Sequence, residues 1–351
     1  MKLLTVTDAW HPQVNGVVRT IEATNCELQR AGHEIALITP QSFITLPCPG
    51  YREIRLSLLP GRRVAAAIDA LRRESPALAI HIATEGPLGQ AARRYCVRHR
   101  LPFTTAYHTR FPQYLNAMFG VPERWVYGFL RRFHGAATHA LSPTPEVDRE
   151  LAAIGLGNVR RWTRGVDLDV FVPGDDAPLL TSHARPRFLY VGRVSVEKNI
   201  EAFLTLDLPG TKIVAGVGPA LPMLKKRFPD VLFVGVLSRE DLARLYSGVD
   251  VFVFPSRTDT FGLVMLEALA CGTPVAAYPV QGPLDVVGGA DVAVLDEDLR
   301  KAALLALKVD RSRCRAWAER FSWRAATEQF IAAQQTIGPA QSPSFAQPAL
   351  H

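Results

Sequence analysis

The sequence has only five cysteines in 351 residues, at positions 26, 48, 96, 271 and 314, with no CxxC pair and no histidine at metal-ligand spacing from them. That pattern argues against a disulfide framework or a cysteine-based zinc site and predicts reduced, mostly buried thiols. No run approaches the roughly 18 consecutive apolar residues of a membrane-spanning helix, so any membrane contact is expected to be peripheral. The opening Met1 to Asp8 meets a charge too early to supply the apolar stretch of a secretory signal, and a cytoplasmic location is expected. A GxGxxG loop is also missing after the first apolar run, which weakens a nicotinamide-dehydrogenase reading. No repeat of roughly 20 to 50 residues is visible.

What is present is a chain long enough to divide into two cores, with 48% hydrophobic residues. Short apolar runs recur with helical segments between them: Leu3 to Thr7, Glu34 to Thr39, Ala77 to Ile82 and Phe103 to Tyr107, then Phe188 to Val191, Lys212 to Ala215, Val231 to Val234 and Asp250 to Phe254. This alternation predicts parallel sheets with crossover helices, and the near absence of polar alternation predicts strands covered on both faces. The pattern breaks at Val172-Pro173-Gly174-Asp175-Asp176-Ala177-Pro178, which divides the chain into α/β halves at 1–175 and 176–322. Open α/β sheets bind ligands outside the carboxyl ends of their strands, so a cleft between the halves is the expected site. The segment 338–351 has little to bury and is expected to be disordered.

The net charge of +7 is uneven: residues 1–175 hold 21 of the 40 Lys and Arg against 15 of the 33 Asp and Glu, leaving 19 against 18 for the remainder. A basic first half suits phosphate head groups, nucleic acid or an anionic co-substrate, and equally a solvated surface.

Four segments carry residue types suited to chemistry. In Pro255 to Pro274, Gly262 precedes a helix whose free N–H groups and positive dipole end favour phosphate, and Glu267 follows where it can accept hydrogen bonds from ribose hydroxyls. The plainer account has Asp259 capping that helix. In Val191 to Asn199, Arg193 and Lys198 supply two cations near a helix start, suited to a diphosphate that gains charge as it leaves. A Lys198 paired with Glu197 is the alternative. Asp8 to Arg19 places Asn15 and Gly16 after the first strand, as a binding loop or an ordinary turn. Thr105 to Arg110 places Tyr107, His108 and Arg110 after a buried strand, where a histidine is by itself more often structural. Glu85, Gly216 and Gly218 lie at further strand ends.

Together these motifs resemble the retaining GT-B-fold glycosyltransferases of family 4, from Asp8 to about Phe330. The family pairs two acids eight positions apart around a Phe-Gly. Here they are Asp259 and Glu267, with Asp where many members have Glu, so the first acid reaches one methylene less far. The resemblance implies an α/β GT-B fold, two Rossmann-like domains facing each other across a cleft, the first for the acceptor and the second for the donor. Phe321-Ser322-Trp323 resembles the approach to a C-terminal helix, 323–337, that crosses back to the first domain. His108 corresponds to the family's active-site histidine, and it joins Arg193, Lys198 and Asp259 as the implied catalytic set. Implied donor contacts are Gly16, Arg193, Lys198, Gly216, Gly218, Asp259, Phe261, Gly262, Leu263, Val264 and Glu267. Asn15, Glu85, Tyr107 and Arg110 are the weaker acceptor-side candidates.

The co-substrate implied is a nucleotide diphosphate sugar, GDP-mannose or a UDP-hexose or UDP-glucuronate, with no cofactor, no metal and no nucleic acid. The acceptor implied is a membrane lipid, a glycolipid or a saccharide. Asp167-Leu168-Asp169 and Asp296-Glu297-Asp298 look like metal-binding DxD motifs but are set aside, because paired cations already serve the diphosphate. Pro122 to His134 mixes Trp125, Phe129 and Phe133 with Arg124, Arg131 and Arg132, which suits an anionic membrane interface and equally an amphipathic core helix. Two rivals differ in turnover: a GT-B-fold epimerase would convert nucleotide sugar without acceptor, and a nucleotide- or polyanion-binding protein would bind without converting.

Overall fold

The computed structural model describes residues 1–13, 15–48, 51–108, 112, 116 and 120–337, with the side chains of 51–53 outside the description. The Arg110 candidate and the expected disordered tail at 338–351 lie outside the described residues.

The first sheet is built from β1 (Lys2–Val6), β2 (Glu34–Ile38), β5 (Leu78–Ile82), β6 (Thr104–Ala106), β7 (His139–Ser142) and β8 (Val159–Arg161), in the order β2-β1-β5-β6-β7-β8 and all parallel. An antiparallel hairpin, β3 (Thr45–Cys48) and β4 (Tyr51–Ser57), is set apart from it. The second sheet has β9 (Arg187–Val191), β10 (Thr211–Ala215), β11 (Leu232–Gly235), β12 (Val251–Phe254), β13 (Val275–Ala277) and β14 (Ala293–Leu295) in the order β11-β10-β9-β12-β13-β14, again parallel. Strands β5, β9 and β12 are buried along their whole length, which explains why their sequences are apolar apart from His81 in β5 and Arg187 at the start of β9. In both sheets the strand order reverses beside the first strand, between β1 and β5 and between β9 and β12. Loops at such reversals splay to opposite faces and leave a crevice at the carboxyl ends.

Local sequence sets where these loops end. Asn15 opens the Gly16–Arg30 helix by accepting N–H bonds from Val17 and Val18 at 3.0 Å, and Val18, Ile21 and Leu28 face the first core. Asp8 does the same at a distance: its carboxylate accepts the N–H groups of Leu88 and Gly89, at 2.9 and 3.2 Å, at the start of the Pro87–Arg98 helix.

The chain crosses between domains twice, side by side. Val166, on the way out, bridges Ser322 and donates its N–H to the Phe321 carbonyl at 3.1 Å. The Trp323–Ala332 helix then packs on the Gly16–Arg30 helix, Phe330 sits 4.9 Å from the rings of both Trp162 and His81, and β15 (Thr336–Ile337) pairs antiparallel with β5.

Candidate active site

The loops after β1, β6, β9 and β12 meet where the two domains face each other. Glu267 is buried on the Leu263–Ala270 helix; its Oε1 accepts from Arg19 Nη1 of the first domain at 2.6 Å and its Oε2 from the Tyr246 hydroxyl at 3.2 Å. The Thr260 hydroxyl donates to the His108 carbonyl across the same cleft at 2.9 Å. A methyl placed on Gly16 would lie 3.9 Å from Leu263 Cδ1. Residues from Gly16 to Glu267, 251 positions apart in sequence, thus line one site.

On the second-domain wall, Lys198 Nζ donates to Asp259 Oδ1, while Asp259 Oδ2 is buried with no hydrogen-bond partner among the described residues. Asp259 therefore does not cap the helix; Gly262 occupies that position with φ +85°, and a side chain there would collide with Met265 and Phe254. Arg193 stands 4.0 Å from Glu197, which also accepts the Ser195 hydroxyl at 2.5 Å. Leu263 and Val264 begin the helix and are half-buried. Phe261 is turned into the core against Phe321, so any donor contact it makes is left to its backbone. Gly216 and Gly218 press against the Gly192 and Val194 carbonyls, where a Cβ would come within 1.9 and 2.2 Å; the two loops after β9 and β10 stack because neither position carries a side chain.

On the first-domain wall, three acceptor-side candidates are held as follows. Asn15 spends its Oδ1 on the helix cap and its Nδ2 on Gln13 at 3.1 Å. Tyr107 is fully buried in a cluster with Leu130 and Leu151. Glu85 is buried with His134 Nε2 at 3.2 Å. Capping takes Asn15 and packing takes Tyr107, whereas Glu85 Oε1 and His134 Nε2 are buried without a hydrogen-bond partner among the described residues. His108 remains at the junction, with Nδ1 3.3 Å from Arg164 Nη2 and Nε2 buried without a partner among the described residues. Burial, then the Arg164 charge, hold its imidazole well below the usual histidine range.

Arg19, Tyr246 and Arg164 drew no site role from sequence, although Arg19 ends the Asp8–Arg19 segment and Arg164 opens the family-like Arg164-Gly165-Val166-Asp167. A separate first-domain cavity of about 190 Å³ adjoins the loop after β1, lined by Trp10, His11 and Gln13 of that segment together with Phe43 and Arg55 among others. Of the two DxD-like triplets, Asp167 pairs with Arg239 at 2.7 Å and Asp296 with Lys301 at 2.6 Å. No group of three or more metal-ligating side chains is found among the described residues.

Two family models match in tandem: "Glycosyltransferase Family 4" over residues 14–170 and "Glycosyl transferases group 1" over 185–309. The chain is 28% identical over 312 residues to a GDP-mannose-dependent alpha-mannosyltransferase of Mycobacterium tuberculosis, covering 82% of this chain and 81% of that one. It is 30% identical over 288 residues to a sulfoquinovosyl transferase of Arabidopsis thaliana, covering 74% and 56%. Among solved structures it shares its fold with the sucrose-phosphate synthase of Thermosynechococcus elongatus, at a TM-score of 0.73 and 22% identity over 94% of this chain and 97% of that one. Anabaena HepE in complex with UDP and glucose superposes at a TM-score of 0.69 and 16% identity over 95% and 98%. The chain is a GT-B-fold glycosyltransferase and belongs to glycosyltransferase family 4.

Proposed function

We propose that the protein transfers a hexosyl group from a nucleotide diphosphate sugar to a membrane lipid or glycolipid, with retention of anomeric configuration and without a metal ion. The observation that carries this is the set of groups on facing walls of one cleft. It comprises Lys198, suited to the leaving phosphate, Asp259 Oδ2, an unsatisfied acceptor suited to a sugar hydroxyl, and His108 Nε2, an unsatisfied nitrogen. Arg193 and the backbone at Gly16 and Gly262 complete the cradle for the diphosphate, and Glu267 takes the ribose. In the step we favour, the bond from the anomeric carbon to the phosphate oxygen breaks as the acceptor oxygen bonds to the same face. The departing phosphate oxygen takes the acceptor proton, and Lys198 and Arg193 stabilise the charge that grows there.

The acceptor class rests on the Glu123–His134 helix. Val126, Leu130 and Phe133 pack inward, whereas Trp125 is 67% and Phe129 45% exposed on the same helix as Arg124, Arg131 and Arg132. An outward aromatic pair with arginines suits an anionic lipid surface. No helix among the described residues is long and apolar enough to cross a membrane, so contact through this helix is peripheral in the proposal. The mycobacterial relative's named activity makes GDP-mannose the first donor to try.

The test is nucleotide release from GDP-mannose, UDP-glucose and UDP-glucuronate, each with and without detergent-dispersed diacylglycerol or phospholipid. Release from one donor only with lipid is expected. Lipid-independent transfer to a soluble saccharide would reject the lipid acceptor, and binding with no turnover would favour the nucleotide-binding rival. Activity is expected to survive EDTA, and an inverted product by NMR would rule out retention.

A further inference from the structure

Arg164 is a buried cation without a counter-ion. It is 4% exposed, no carboxylate among the described residues pairs with it, and burial alone brings its guanidinium down to about 9. Its Nη1 donates to the carbonyls of Trp162 at 2.6 Å and Thr163 at 3.1 Å, and its guanidinium carbon lies 4.3 Å from the centre of the Trp162 ring. These contacts hold the group in one orientation and leave Nη2 facing His108 Nδ1 at 3.3 Å. Burying a guanidinium without an acid is costly.

The chemistry of that contact is one-directional. A guanidinium nitrogen only donates, so Nδ1 must offer its lone pair and the single proton of the neutral ring must sit on Nε2. Protonating Nδ1 would set two donors against each other. Nε2 is the nitrogen that finds no acceptor among the described residues, and an N–H left so is expensive unless a ligand meets it. The far side of the same residue is tied down as well, since the Thr260 hydroxyl of the second domain donates to the His108 carbonyl.

We propose that Arg164 is a positioning residue that locks His108 in its Nε2–H tautomer, so that His108 donates a hydrogen bond to an oxygen of the bound donor sugar and does not act as a base. The ligand assignment rests on the glycosyl-transfer reading above; the tautomer does not. With Nε2 protonated and Nδ1 engaged, the ring has no lone pair for the acceptor's proton, which leaves that proton to the departing phosphate. The groups that bear on the ring's charge are Arg164, His81 and His134, the last with Glu85 against it at 3.2 Å. The three basic groups all oppose a second proton on His108.

The experiment is nitrogen NMR of protein labelled at histidine, with the His108 signals assigned by their loss in His108→Gln. In the unaltered protein Nδ1 is expected to be unprotonated and Nε2 protonated, unchanged between pH ~5 and ~9. An Nδ1–H ring would overturn the proposal without recourse to any variant. In Arg164→Met the two tautomers are expected to mix and the ring to titrate, with kcat falling on the order of 10²-fold and falling further toward acid, while the donor KM changes less. Arg164→Lys, which keeps a donor, is expected to restore part of the kcat and the tautomer. An Arg164→Met protein with the unaltered tautomer and pH profile would reject the role. If the Nε2–H ring is found but no donor is turned over, the positioning stands and the glycosyl-transfer reading fails.

Discussion

The two domains share a parallel α/β design and use their polar residues in opposite ways. In the second domain the strand-end charges converge on the cleft: Lys198 on Asp259, Arg193 near Glu197, and Glu267 between Tyr246 and an arginine supplied from across the gap. In the first domain the corresponding polar groups are consumed by the scaffold, with Asp8 and Asn15 serving helix starts, Glu85 meeting His134 and Tyr107 closed into the core. A charged donor common to many enzymes needs fixed charges, whereas the acceptor wall offers mainly backbone, one histidine and shape. The division predicts that substitutions in the second domain change catalysis and that those in the first, His108 and its neighbour Arg164 apart, change stability.

Lys198→Ala tests the division most severely. Loss of a cation from a site that handles a leaving diphosphate is expected to lower kcat/KM by about 10³-fold, with the unfolding midpoint nearly unchanged, because the Lys198–Asp259 pair is partly exposed. A large fall in thermal stability with modest loss of nucleotide release would show that pair to be structural.

The first domain's counterpart is Asp8. Burial holds its carboxyl up at about 6 against an ordinary 3.8, outweighing the hydrogen bonds from Leu88, Gly89 and Thr84. The folded protein therefore keeps a proton that the unfolded chain releases near 3.8. Its contribution is fully present below that pH and is lost as pH rises through about 6, a swing of roughly 3 kcal/mol. Urea unfolding of the natural chain relative to Asp8→Asn, from pH ~4 to ~7, is expected to show that swing. A flat difference would mean that the Asp8 hydrogen bonds offset its burial.

Glu267 joins the two halves. Glu267→Gln keeps the shape but loses the charge that holds Arg19 and that the proposed function assigns to the ribose, and the donor KM is expected to rise about 10- to 100-fold. If Arg19 acts only through its 2.6 Å pair, Arg19→Met should add nothing further in the Glu267→Gln background. Independent effects would give Arg19 a second partner.

The same contrast explains what sequence could show. Parallel sheets in two α/β halves were legible because strands such as Leu78–Ile82, apolar but for His81, and Val251–Phe254, apolar throughout, stand between helices. His139–Ser142, Val159–Arg161, Val275–Ala277 and Ala293–Leu295 were not picked out, since three or four residues give no period and Val159–Arg161 ends in two arginines. The donor wall was legible because its chemistry sits in contiguous motifs. The interactions made by Arg19 and Arg164 were not: the first meets its partner 248 positions away and the second 56 away, and a lone arginine carries no trace of either. For Asn15, Glu85 and Tyr107 the sequence shows a strand-end position but not the capping and burial that the fold gives their side chains.

Asn15→Ala is the smallest and most specific probe of that difference. Its amide oxygen satisfies two of the free N–H groups of the Gly16–Arg30 helix, and losing it is expected to cost about 1 kcal/mol in unfolding free energy. Donor and acceptor KM should both stay within twofold or so of the natural chain, since the Gly16 backbone keeps its place in the helix. Urea unfolding and nucleotide-release kinetics on the same preparation separate the outcomes. An unchanged unfolding curve with a raised acceptor KM would return Asn15 to the acceptor site and show that the first-domain wall, like the second, commits side chains to its ligand.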